Sequence, residues 1–170
     1  WVTQLDPIWN AYFLGLVIAI APAIESARLP IRRGNVFSYR FKWDKEDKTL
    51  FDREIGWVQF QKTSVDRGRK PKYVLSCDIA EFYPRIYHHR LENALHRATC
   101  GSDECSRIMR LLTQFSSNVS YGLAVGGPAA RLLSELLLDS VERLLVTNSV
   151  NFCRFADDYH IFAESAEDTY

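Results

Sequence analysis

Residues 150–163 read VNFCRFADDYHIFA. Two short β-type runs, 150–156 and 159–163, flank the adjacent carboxylates Asp157 and Asp158, so the stretch predicts a hairpin with an acidic tip. Neighbouring carboxylates at a tight turn repel one another and need either full solvation or a cation. Upstream, residues 73–78 (YVLSCD) form another apolar run of β type that ends on a carboxylate, Asp78. Between these strands the pattern becomes helical. Pro84 suits the first turn of a helix whose one face carries Tyr87, Leu91, Ala94, Leu95 and Ala98. A second helix covers 103–115, a glycine-bearing loop 121–127, and a leucine-rich helix runs from Pro128 to residue 144. A further helix is expected from Glu164. The order strand, helix, helix, helix, strand, turn, strand predicts an α+β fold with an antiparallel sheet covered by helices on one face.

Working back toward the first residue, a buried helix is expected over 10–27, then a basic turn at Arg32, Arg33 and Gly34. A strand over 36–42 and a charged loop over 43–48 precede a helix over 52–65. Residues 66–72 (DRGRKPK) read as a basic linker. The longest apolar run, 11–24, has 14 residues and contains Pro22, which is too short to span a bilayer, so no membrane partner is expected. The chain opens on Trp1 with no basic leader, which favours a fragment of a longer protein over a secreted one. Cys77, Cys100, Cys105 and Cys153 are irregularly spaced, as suits reduced thiols in the cytoplasm. His96, Cys100 and Cys105 match no standard zinc spacing and lack a fourth ligand.

The 21 Lys and Arg balance the 21 Asp and Glu, but not evenly. Residues 26–72 hold 13 basic against 6 acidic side chains, and the remainder carries the opposite excess. Basic groups suit phosphates and clustered carboxylates suit metal ions, although solvated surface faces would give the same asymmetry.

Three stretches in order carry a resemblance. Residues 75–86 (LSCDIAEFYPRI) set an apolar strand, an Asp, then aromatics four and five residues on. Residues 122–133 (GLAVGGPAARLL) are a glycine loop feeding a helix, and Phe155-Ala156-Asp157-Asp158 is an aromatic-x-Asp-Asp hairpin. Together they resemble the palm motifs of reverse transcriptases, in wording closest to bacterial retron, group II intron and phage-defence types. The resemblance implies a fingers–palm right-hand core, with residues 1–72 fingers-like and 73–170 a partial palm. The thumb is absent, so the fragment is not expected to polymerise unaided.

Position by position, the resemblance implies Asp78 and Asp157 as ligands common to two Mg²⁺ ions, with Mn²⁺ as a substitute, and Asp158 as the supporting carboxylate. Ile79 would offer its backbone carbonyl to a metal. Tyr83 would lie beneath the incoming sugar and reject a 2′-hydroxyl. Gly126 would allow close approach of backbone to nucleotide. Ala124, Val125 and Phe155 depart from the common Pro, Gln and Tyr. Arg40, then Lys42, are candidate triphosphate ligands on chemical grounds, as cations on a fingers strand. The implied partners are an RNA template, a DNA or RNA primer and dNTPs, and the resemblance leaves the role open among anti-phage defence, a retron, an intron or another. Alternatives are template- or primer-independent DNA synthesis on the same fold, or a non-catalytic nucleic-acid-binding fragment.

Overall fold

The computed structural model describes residues 5–116, 119–124, 127–165 and 167. Its chain forms two compact units, one built from 1–28 and 81–138, the other from 29–80 and 139–170. Each unit therefore takes chain from both sides of residue 72. Five α-helices and two antiparallel sheets give the mixed helix-and-sheet content expected of the sequence.

The first unit is helical. Asp6 caps α1 (Pro7–Ala27) by accepting the Ile8 N–H at 2.9 Å, and Pro7 occupies the first turn where no N–H is needed. The helix continues through Pro22 to 21 residues, which corrects the expectation of a run too short to span a bilayer. By length and composition alone, α1 is long and apolar enough to cross a membrane. It buries Phe13, Leu16, Val17, Ile20, Ala21 and Ile24 and packs on α3 (His88–Thr99) and α4 (Asp103–Phe115).

The periodicity behind α3 and α4 is legible in their buried residues: Leu91, Ala94 and Leu95 on one, Cys105, Ile108, Leu111 and Leu112 on the other. Pro84 opens no long helix. It lies in a short 3₁₀ turn, Tyr83–Arg85, and Tyr87 becomes the exposed residue before α3 instead of part of its inner face. Gly122, at φ 99°, donates its N–H to the Ile86 carbonyl at 2.8 Å, a backbone conformation that L side chains resist. The first half of α5 (Pro128–Thr147) completes this unit, and Glu135 on it pairs with buried Arg28.

The second unit holds both sheets. Strands β1 (Phe41–Asp44) and β2 (Thr49–Phe51) form a small hairpin, so the strand expected over 36–42 lies later than predicted. Residues 35–37 instead run beside β4: the Arg154 N–H donates to Asn35 at 2.7 Å and the Phe37 N–H to Arg154 at 3.0 Å. The main sheet has the order β3-β5-β4, from β3 (Tyr73–Asp78), β4 (Asn151–Phe155) and β5 (Asp158–Ala163).

Helix α2 (Trp57–Arg67) packs on β4, starting five residues later than expected because Gly56, not Asp52, precedes its first turn. Both faces of the sheet are packed, not one. Phe37, Phe60, Cys153 and Phe162 make one cluster, and Leu29, Phe152 and Tyr159 another with Leu145 and Val146 of α5. The reason is the period of two in β4 and β5, which sends large apolar side chains to both sides. The helix expected from Glu164 falls mostly outside the described residues.

Candidate active site

β5 is the central strand, and its register places Asp158 opposite Asp78 on β3 and opposite Phe155 on β4. The expected convergence of residues 79 positions apart thus follows from antiparallel pairing of β3 with β5. A two-residue turn, Ala156-Asp157, joins β4 to β5. Ala156 takes φ 54°, uncommon for a residue with a Cβ, and the Asp157 carbonyl accepts the Ile79 N–H at 3.3 Å. That bond ties the exit of β3 to the turn.

The Asp157 carboxyl lies near enough to those of Asp78 and Asp158 for their charges to act on it. Its pKa is raised, first by burial and then by the negative charges of Asp78 and Asp158. Asp158 acts on Asp157 through charge. Among the described residues no three His, Cys, Asp or Glu side chains gather into a metal cage. The structure therefore brings together two carboxylates, with the third paired through the backbone. Two carboxylates fit Mg²⁺, which commonly takes one or two from the protein and completes its shell with waters and phosphate oxygens. The Ile79 side chain packs against the cluster of Leu29, Phe152 and Tyr159.

The remaining expected residues fare differently. Arg40 is 1% exposed, and its guanidinium is spent on the carbonyls of Leu29 at 2.8 Å and Val36 at 3.3 Å. Expected on a solvated strand face, it is instead an internal clamp, and in this conformation it presents nothing to a triphosphate. Lys42 is exposed and pairs with Asp52 at 3.3 Å. Tyr83 lies in the helical unit, half-buried, its ring 5.2 Å from that of Phe82, and its carbonyl accepts the Leu123 N–H at 3.0 Å. Phe82 is buried, as expected of a core residue. Gly126 lies outside the described residues.

Sequence reading missed the buried ion pairs behind the turn. Arg154 and Glu142 pair with both side chains wholly buried. The same guanidinium donates to the Ala156 carbonyl and to Ser38 Oγ, and stands 5.8 Å from the Tyr159 ring centroid. Asp139 accepts the Leu29 N–H at 2.8 Å and Arg143 Nε at 2.6 Å. A signal was present: Glu135, Asp139 and Glu142 recur four and three residues apart on a leucine-rich helix, a stripe that must find partners once buried. Arg28 and Arg40, counted among a basic region suited to phosphates, are internal.

The four cysteines are free thiols, and burial pushes Cys153 up to about 11, so it is no nucleophile at neutral pH.

No match is found among curated proteins. Among solved structures the chain is similar to one described as "Partial Cas6-RT-Cas1--Cas2 complex", at 22% identity and a TM-score of 0.32. The similarity covers 75% of this chain and 22% of that one. The family model described as "Reverse transcriptase (RNA-dependent DNA polymerase)" matches residues 24–169. With that match spanning most of its length, the chain belongs to the reverse transcriptase family.

Proposed function

We propose that Asp78 and Asp157 serve RNA-directed DNA synthesis by the full-length protein, the present chain being inactive alone. The observation that carries the reading is the register that sets Asp78, at the end of β3, opposite Asp158, with the Ile79 N–H bonded to the Asp157 carbonyl in the β4–β5 turn. Charge crowding that raises Asp157's pKa would be relieved by a bound cation, so metal binding and deprotonation are coupled. Two Mg²⁺ ions bound there would activate the primer 3′-hydroxyl and stabilise charge on the transferring phosphate and the departing pyrophosphate. Asp78 and Asp157 would hold the metals in common, Asp158 adds negative potential, and the Ile79 carbonyl would be a further ligand. Arg154 holds the turn carbonyl so that Asp157 is presented with little freedom, which is positioning achieved before substrate arrives.

In this reading residues 1–72 act as fingers and 73–170 as part of the palm, Tyr83 selects the sugar, and Gly126 lies against the nucleotide. Lys42, an exposed cation on β1 paired with Asp52, is the better remaining candidate for the triphosphate. Template RNA, a DNA or RNA primer and dNTPs are the substrates, the setting is cytoplasmic, and the role is anti-phage defence. The test is incorporation of labelled nucleotide with and without RNA template, across four dNTPs and four rNTPs, in Mg²⁺ and in EDTA. Template-dependent, Mg²⁺-dependent use of dNTPs supports the reading. Incorporation that ignores the template refutes the RNA-directed part.

A further inference from the structure

Within the helical unit, the first turns of α1 and the outer face of α4 border an open groove of about 730 Å³. Ile8, Trp9 and Tyr12 line one side, and Arg107, Arg110, Leu111 and Gln114 the other. Ile8 is 78% exposed, Trp9 49% and Tyr12 44%, so three large apolar side chains stand in water on adjacent turns of a single helix. A lone exposed apolar residue needs no explanation, but a cluster beside cations does. The lining holds two guanidiniums and no carboxylate. Asp6 caps α1, and Glu104, whose pKa is lowered first by its own backbone and by Ser102, feels Arg107 as a lesser influence.

The two rings are 6.2 Å apart between centroids at 71°, an edge contact that leaves a face of each free to take a planar partner. Exposed aromatic faces opposite arginines are the chemistry that holds single strands, with bases on the rings and phosphates on the cations. Gln114 adds an amide able to donate to and accept from a base edge.

We propose that this groove binds single-stranded nucleic acid, stacking bases on Trp9 and Tyr12 and pairing phosphates with Arg107 and Arg110. The choice of ligand rests on the polymerase reading above, since an acidic peptide would use the arginines and leave the rings without a stacking partner. No residue of the groove belongs to the unit carrying Asp78 and Asp157.

The test is fluorescence anisotropy of labelled six-nucleotide oligo-U in EDTA, which removes metal-dependent binding from the readout. Trp9→Ala should weaken binding roughly tenfold, and Trp9→Phe should restore most of it. The double variant Arg107→Ala/Arg110→Ala, both on an exposed helix face, should weaken binding and flatten the log–log salt dependence by about 1.4. Far-ultraviolet circular dichroism checks that each variant folds. Unchanged affinity in both Trp9→Ala and the double arginine variant overturns the proposal, as does absence of binding by the parent chain at low salt. A poly-Glu peptide or phosphatidylglycerol vesicles that outcompete oligo-U for the groove also overturn it, in favour of a protein or membrane partner. Nucleotide incorporation by the full-length protein is a separate readout. Oligo-U binding through the groove without incorporation would sink the polymerase reading alone, and incorporation without groove binding would sink this proposal alone.

Discussion

Replacing Glu142 by Ala tests whether the buried pair behind the turn holds the second unit together. Both side chains are fully buried, and Arg154 has no route to water once its carboxylate is gone. The guanidinium keeps its bonds to the Ala156 carbonyl and Ser38 Oγ, which offset part of the loss but supply no negative charge. Removing one partner of such a pair typically costs about 3–5 kcal/mol, because the other charge stays desolvated. For a chain of 170 residues each kcal/mol moves the melting temperature by about 2–4 °C, so Glu142→Ala should lower it by about 6–20 °C. Removing both charges with Glu142→Gln/Arg154→Met should recover most of the loss, since no charge is left buried alone. Chemical and thermal unfolding of the three variants close a double-mutant cycle. A loss below about 1 kcal/mol for Glu142→Ala would refute the reasoning, as would a double variant as unstable as the sum of its singles.

Three further outcomes follow from the same geometry. Asp157's pKa is raised in the fold, so its ionisation penalises the folded, metal-free chain as pH climbs through the ordinary carboxylate range and beyond. Asp157→Asn should therefore melt higher than the parent at neutral pH in EDTA, with the gap closing toward acid pH, and a variant less stable at neutral pH would contradict this. Phe60, 1% exposed between Phe37 and Phe162, should cost about 3–5 kcal/mol when changed to Ala, measured by urea unfolding. Tyr83→Ala should admit ribonucleotides and shift the dNTP-to-rNTP incorporation ratio, whereas Phe82→Ala should lower stability without that shift. An unchanged ratio in active Tyr83→Ala would remove the sugar-selecting role.

Strand β3 and helix α4 lie where their residues said, because apolar period and flanking breakers agree there. The juxtaposition of Asp78 with Asp158 was legible because a strand ending on a carboxylate and a hairpin with an acidic tip meet when they pair antiparallel. Helix α1 was underestimated because Pro22 reads as a breaker, yet the helix carries it through on its exposed side. Arg40 was misread because an alternating strand pattern does not say which face is wet, and here residues 36–38 are buried together. Arg28, Arg154, Glu135 and Glu142 were invisible one at a time. Only pairing across more than a hundred residues, in the case of Arg28 and Glu135, makes a buried charge tolerable, and sequence spacing does not encode such partners.

The central claim, that Asp78 and Asp157 form the catalytic metal site, is tested most directly by RNA-templated dNTP incorporation with Asp157→Asn beside the parent, both as the full-length protein. Asn keeps the shape of the side chain and removes the charge that holds Mg²⁺. The account predicts that incorporation falls by about a thousandfold or more, a loss of about 4 kcal/mol in transition-state stabilisation, while the melting temperature is unchanged or higher. Near-normal incorporation by a folded Asp157→Asn protein would contradict it.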